Sequence, residues 1–329
     1  MQRWLLCAMS LWLLACCTSC NNSGGVVTRT PGEADATAKK GVIGVSVLTL
    51  TNPFFKEIGD TIAAEAAKHG YDTIVVSGEG DVARQQNQID DFLVRGCAAI
   101  VLCPCDSRAI GPPIKKCNAA GVPVFTADIA TLAEDAYVVT HIATDNYGGG
   151  KQAGVAMIEA LGKAGGKVVI LDFKSAESCI LRVQGFKEVI DAHNAEHPQA
   201  KIVVVSELPS GGAKDIGFKA AEDALQAHPD LAGIFAINDP AALGARAALE
   251  KAEKTDQVKI IGFDGQLPGK QAIKDGKIYA DPIQFPDRIG AITVDCIMRY
   301  FAGEKLPPEQ LIPTELYRQA DGQRDPLLQ

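Results

Sequence analysis

Residues 41–77 read GVIGVSVLTLTNPFFKEIGDTIAAEAAKHGYDTIVVS, and their pattern decides the fold. An apolar run over 42–48 reaches a polar corner at Thr49, Thr51, Asn52 and Pro53. Apolar residues then return at helical spacing, Phe55, Ile58, Ile62 and Ala66, until Gly70, where a left-handed cap can end a helix. A second apolar run over 72–77 follows. Strand, helix and strand in such close succession predict a βα unit of a parallel sheet. One detail is left over. Adjacent helical side chains point about 100° apart, so Phe54 and Phe55 cannot both enter one core stripe. At least one of them must face something other than the helix's own packing surface.

The unit repeats along the chain. A helix with Ile89, Phe92 and Leu93 stops at Gly96, a strand covers 98–103, a helix runs from Ser107 to Gly121, and the strand VPVFTAD covers 122–128. The pattern then restarts with the strands KVVILD (167–172), KIVVVSEL (201–208), AGIFAIND (232–239) and KIIGFDG (259–265), separated by helices near 146–163, 178–195, 215–228 and 240–252. A last helix after 285 and the strand-like LIPTEL (311–316) finish the chain. Two sets of βα units, one before about residue 143 and one after, predict an α/β protein of two similar lobes. The length agrees, since 329 residues exceed the roughly 250 that one core holds.

The strand ends carry the chemistry. In open parallel sheets the carboxyl ends border the ligand crevice, and two facing sheets would line one cleft. Asp128, Asn238 with Asp239, Asp264 and Gln284 stand at such ends. Asp239, followed by Pro240, reads as a helix cap. Asp264, followed by Gly265 and several loop residues, reads as a cleft acceptor, whose removal should weaken binding and leave the fold intact.

Composition and motifs exclude other classes. A net charge of −8 and a pI near 5.2 argue against a nucleic-acid surface. GEGDVA (78–83) mimics a dinucleotide fingerprint, but Glu79 and Asp81 would repel a pyrophosphate. No GxSxG, HExxH or P-loop is present, and His69, His193, His197 and His228 sit at predicted helix ends, where a cation complements the dipole. His141 lies instead on VVTHIATDN, read as a crossing segment between the lobes. No nucleophile, base and orienting group assemble, so neither catalysis nor a metal or cofactor is expected.

The N-terminus differs in kind. Arg3 precedes an apolar run over 4–15, too short to span a bilayer but fit for an export signal. Leu13-Leu14-Ala15-Cys16 resembles a bacterial lipobox, predicting lipidation of Cys16, with Cys20 the weaker choice. Residues 16–40 then form a polar flexible tether to the membrane. Cys97, Cys103, Cys105, Cys117, Cys179 and Cys296 would meet an oxidising compartment, where pairing is open to them; their plainer reading is as buried apolar side chains.

Taken in order, NPFF, VRGCAAIVLCPCDS, VPVFTAD, THIATDNYGGG, IFAINDPAALGA, IIGFDG and IQFPDRIG resemble the ribose-binding proteins of bacterial ABC importers, within the periplasmic sugar-binding family. The resemblance runs from about 41 to 318. It implies two Rossmann-like lobes joined by three crossing segments, near Thr144–Asp145, after Gln284 and near Pro313. The lobes are then 41–144 with 285–313, and 145–284 with 314–329. It also implies a monosaccharide enclosed at the hinge by a monomer that delivers it to a permease and its ATPase. Asn52, Phe54 and Phe55 match the family's NPFF, in which the rings pack on the sugar and Asn bonds a hydroxyl. Asp128 stands where a carboxylate accepts from sugar hydroxyls, and Asn238, Asp264 and Gln284 match polar contacts from the second lobe and hinge.

Four positions depart from that pattern. Ile129 and Ile180 stand where ribose binders have Arg, Leu48 replaces a polar residue and Gly212 an aromatic one. Arg182 is the cation that can reach inward instead. The expected ligand is therefore another pentose, a deoxy sugar or a polyol rather than free ribose. A sensory protein that presents its ligand to a chemoreceptor or kinase would close over it in the same way.

Overall fold

The structure, a computed structural model, describes residues 39–329. The export signal, Cys16, Cys20 and nearly all of the tether lie outside the described residues. The first lobe's run is β1 (Gly41–Val47), α1 (Pro53–Lys68), β2 (Tyr71–Ser77), α2 (Val82–Val94), β3 (Ala99–Leu102), α3 (Gly111–Ala119), β4 (Val124–Ala127) and β5 (His141–Thr144). The second run is α4 (Asn146–Leu161), β6 (Gly166–Asp172), α5 (Glu177–Glu196), β7 (Ile202–Pro209), α6 (Lys214–Ala227), β8 (Leu231–Ala236), α7 (Asp239–Lys251), β9 (Lys259–Ile261), α8 (Leu267–Lys274) and β10 (Ala280–Ile283). The chain ends with α9 (Pro286–Phe301), β11 (Glu309–Ile312), β12 (Glu315–Arg318) and α10 (Gln319–Arg324).

These strands form two six-stranded sheets, ordered β11-β5-β4-β3-β1-β2 and β12-β10-β9-β8-β6-β7. The first is parallel throughout, and in the second only β12 runs antiparallel, beside β10. Helices cover both faces, so the strands are apolar on both sides: Ile43, Val45 and Val47 of β1 pack under α1, while Ile100 and Leu102 of β3 face the α2–α3 side. The chain passes between the sheets after Thr144, after Ile283 and between Ile312 and Glu315. Helix α9 returns across the second passage to pack on α1.

Three segments differ from the sequence reading. The helix expected from Ser107 starts at Gly111, because Asp106 Oδ1 accepts from the backbone N–H groups of Arg108 and Ala109 and holds a turn. VVTHIATDN is no bare crossing segment, since His141–Thr144 is β5, paired with β4 and β11. His141 is half-buried there, bonds Thr126 Oγ1 at 2.9 Å, and desolvation holds its pKa down at about 4, which keeps it neutral. LIPTEL is two strands in two sheets, parted at Pro313, which has no N–H to give a ladder.

Helices α4 and α5 cross closely at small residues. A Cβ on Gly150 would fall on the Arg182 carbonyl, and one on Gly185 on the Tyr147 carbonyl. This contact aims α5 and its Arg182 at the space between the sheets.

Candidate functional site

A cavity of about 460 Å³ lies between the carboxyl ends of the two sheets, and Asn52, Phe54, Phe55, Asp128, Arg182, Asn238, Asp264 and Gln284 all line it. Its size is that of a small-molecule pocket. The corner after β1 supplies the first three. Asn52 caps α1, its Oδ1 accepting from Phe54 N at 3.0 Å, which leaves its amide N–H groups uncommitted. Phe54 and Phe55 meet edge to face, centroids 5.3 Å apart at 87°. Both are core residues on one side and cavity wall on the other, so the reading of the pair as wall rather than core is half of what the structure gives.

The two buried carboxylates of the cleft sit in backbone that is rare for residues with a Cβ. Asp128 has φ 63° and Asp264 φ 104°. Such strain collects where a side chain must be aimed. Asp128 is buried, and its Oδ1 has no hydrogen-bond partner. Burial pushes its pKa up to about 7, Asp264 adds to the rise, and Arg182 opposes it. Asp264 Oδ1 accepts from Arg182 Nη1 at 3.1 Å and from Gln284 Nε2 at 2.6 Å. Burial raises its pKa to about 6 against the pull of both partners.

Arg182 is fixed from all sides. Its Nε donates to Asn146 Oδ1 at 2.8 Å, Nη1 also donates to Ile237 O at 2.7 Å, and the guanidinium lies 3.9 Å over the Phe263 ring. Gln284 keeps Oε1 buried and unpartnered. Asn238, not Asp239, caps α7: its Oδ1 accepts from Ala241 N at 3.0 Å while Nδ2 donates to Gly212 O at 3.0 Å. Asp239 is the first helical residue and turns beneath the floor, where Oδ2 accepts from Gln266 N at 2.6 Å. There it faces Asp281, and the two carboxyls hydrogen-bond to each other. Two buried carboxyls so placed share a proton: burial raises both pKa values, the charge of Asp281 raises that of Asp239 further, and the hydrogen bond from Asp239 partly offsets the rise at Asp281.

Leu48, Ile129 and Gly212 also line the cavity, whereas Ile180 does not. Phe173, Ala176 and Cys179 extend the apolar wall and were not foreseen. Phe173 follows β6, so the strand-end rule that found Asp128 reaches it when applied one residue further. Deep in the site two carboxylates face one guanidinium, which disfavours an anionic guest. The free acceptors at Asp128 and Gln284 suit hydroxyl donors, and the rings suit the C–H face of a small cyclic molecule. Burial pushes the Cys179 thiol up to about 12, away from nucleophilic use. All six cysteines of the described residues are buried free thiols. Among the described residues no cluster of His, Cys, Asp or Glu is arranged to hold a metal ion.

Residues 43–305 match the family described as periplasmic binding protein domain. The chain is 37% identical over 285 residues to the ribose import binding protein of Salmonella typhimurium, covering 86% of this chain and 92% of that one. It is 32% identical over 272 residues to the D-apiose import binding protein of Paraburkholderia graminis, covering 82% and 85%. Among solved structures, an ABC transporter solute binding protein from Mycobacterium smegmatis with bound glycerol superposes with a TM-score of 0.79 at 29% identity, over 86% of this chain and 96% of that one.

Proposed function

The chain belongs to the periplasmic binding protein family, and on that premise we propose that it captures an uncharged monosaccharide or polyol between its lobes and delivers it to an ABC importer. The carrying observation is that eight residues scattered from 52 to 284 border one cavity, with two strained carboxylates opposite an aromatic pair. In this reading Asp128 and Asp264 accept ligand hydroxyls, Asn52, Asn238 and Gln284 complete the polar contacts, and Phe54 and Phe55 cover the ring. Arg182 holds Asp264 and offers its remaining N–H groups to the ligand. The matched relatives are import proteins, which favours transport over presentation to a chemoreceptor or sensor kinase.

The lobes are 41–144 with 285–313 and 145–284 with 314–329, and closure about the three passages is driven by ligand contacts that both lobes make. The protein is exported and works as a monomer, and Cys16, or failing it Cys20, carries the lipid that anchors it through the tether. The apolar Leu48 and Ile129 and the space beside Gly212 favour a pentose other than ribose, a deoxy sugar or a polyol. Calorimetric titration with D-ribose, D-apiose, D-allose, 2-deoxyribose and myo-inositol tests this. Tight binding of at least one neutral member other than ribose is expected. Silence across such a panel would end the sugar reading, and tight ribose binding with weak binding of the rest would end the departure from ribose.

A further inference from the structure

Ser107 lies in the loop between β3 and α3 of the first sheet, buried although it does not line the cavity. Its N–H and hydroxyl find partners in the opposite lobe. Its backbone N–H donates to Ser175 O at 2.9 Å, and its Oγ accepts from Glu177 N at 3.0 Å. Glu177 is the first residue of α5, and the residue before it, Ala176, has no side chain able to cap that helix. A helix start leaves orphan N–H groups. One of those at α5 is satisfied by a hydroxyl from the opposite lobe.

The clasp is held ready on its own side. Ser107 O accepts from Leu132 N at 2.7 Å and from Thr131 Oγ1 at 3.4 Å, while the Asp106 carboxylate fixes the next two N–H groups. The Glu177 carboxylate turns back toward the N–H of Ala130, two residues beyond Asp128. On the far side, Ala176, Ser178 and Cys179 flank Glu177 and line the cavity, and Arg182 follows on the same helix. The contact therefore joins the two lobes beside the cleft without entering it.

We propose that Ser107 is a positioning residue for ligand capture, capping α5 across the lobes and so setting how much of the population is closed before a ligand arrives. The proposal rests on the reading of the cavity as an interlobe ligand cleft. A competent state populated in advance raises apparent affinity in proportion to its fraction. Losing one net hydrogen bond across the gap should shift that ratio about fivefold.

Spin labels on Asp60→Cys in α1 and Lys219→Cys in α6, with the buried native thiols left in place, report the interlobe distance. Without added sugar, the parent protein should show a short and a long distance. Ser107→Ala should move the ratio about fivefold toward the long one, and Ser107→Thr, which keeps the hydroxyl, should restore it. Whichever of D-ribose or D-apiose binds the parent should leave the Ala variant about fivefold faster, with little change in association rate. An unchanged distance ratio in Ser107→Ala overturns the proposal, as does a parent that shows only the long distance. If neither sugar binds the parent, the choice of sugar fails, while the sugar-free distances still decide the clasp.

Discussion

Asp264 and Arg182 make the site and the core one structure. The pair is about 97% buried on both sides, with side-chain exposures of 3% and 3%. The sequence reading made Asp264 a cleft acceptor that could be removed without harm to the fold. The structure corrects that. Breaking a buried pair strands the remaining charge, so Asp264→Ala should cost about 3–5 kcal/mol of stability as well as affinity. Asp264→Asn, which keeps an acceptor for Arg182 and Gln284, should cost less stability and still weaken binding; denaturant titration beside calorimetry separates the two. At this scale the sequence was legible where chemistry follows strand ends, as at Asp128 and Gln284. It was not legible where roles depend on contacts between distant segments. Nothing near Asp281 announces that it faces Asp239, and nothing near Asn146 announces Arg182 as its partner.

Helices α4 and α5 show why the YGGG run (147–150) belongs to the site although only its neighbours touch the cavity. Gly150 and Gly185 let the two backbones meet, and that approach places Arg182 against Asn146 and Asp264. Gly150→Ala should push α5 outward and cost about 1–3 kcal/mol, the usual range for overpacking. Because the shift carries Arg182 with it, affinity should fall even though no cavity-lining side chain has changed; equal affinity in a destabilised variant would refute the link. The βα alternation was readable because buried parallel strands and amphipathic helices have different periods. The split of LIPTEL was not, since Leu311 and Ile312 serve one sheet and Glu315 and Leu316 the other, and only the pairing partners reveal it.

Across the whole molecule, pH should act through the acids beneath and within the cleft. Asp128 is raised to about 7 and Asp281 to about 6, both chiefly by burial. A carboxyl whose folded pKa is raised favours folding most below its unfolded value, near 3.9, and that contribution is lost as pH climbs through the folded value. Stability should therefore decline between about pH 4 and 7 on their account. Asp281→Asn, a permanent mimic of the protonated acid, should flatten part of that slope and be more stable than the parent at pH 8; thermal melts at pH 5 and pH 8 check it.

The six thiols set a different kind of consequence. Burial lifts Cys105 to about 12 and Cys117 to about 11, so neither oxidant nor alkylating reagent finds a thiolate while the chain is folded. A chain threaded unfolded into an oxidising compartment has no such shelter, and its maturation becomes a race between collapse and mispairing. Iodoacetamide labelling at these six thiols of the described residues should proceed at the rate of global opening, with all six modified together. Staggered labelling would mean that some sulfurs are reached through local breathing.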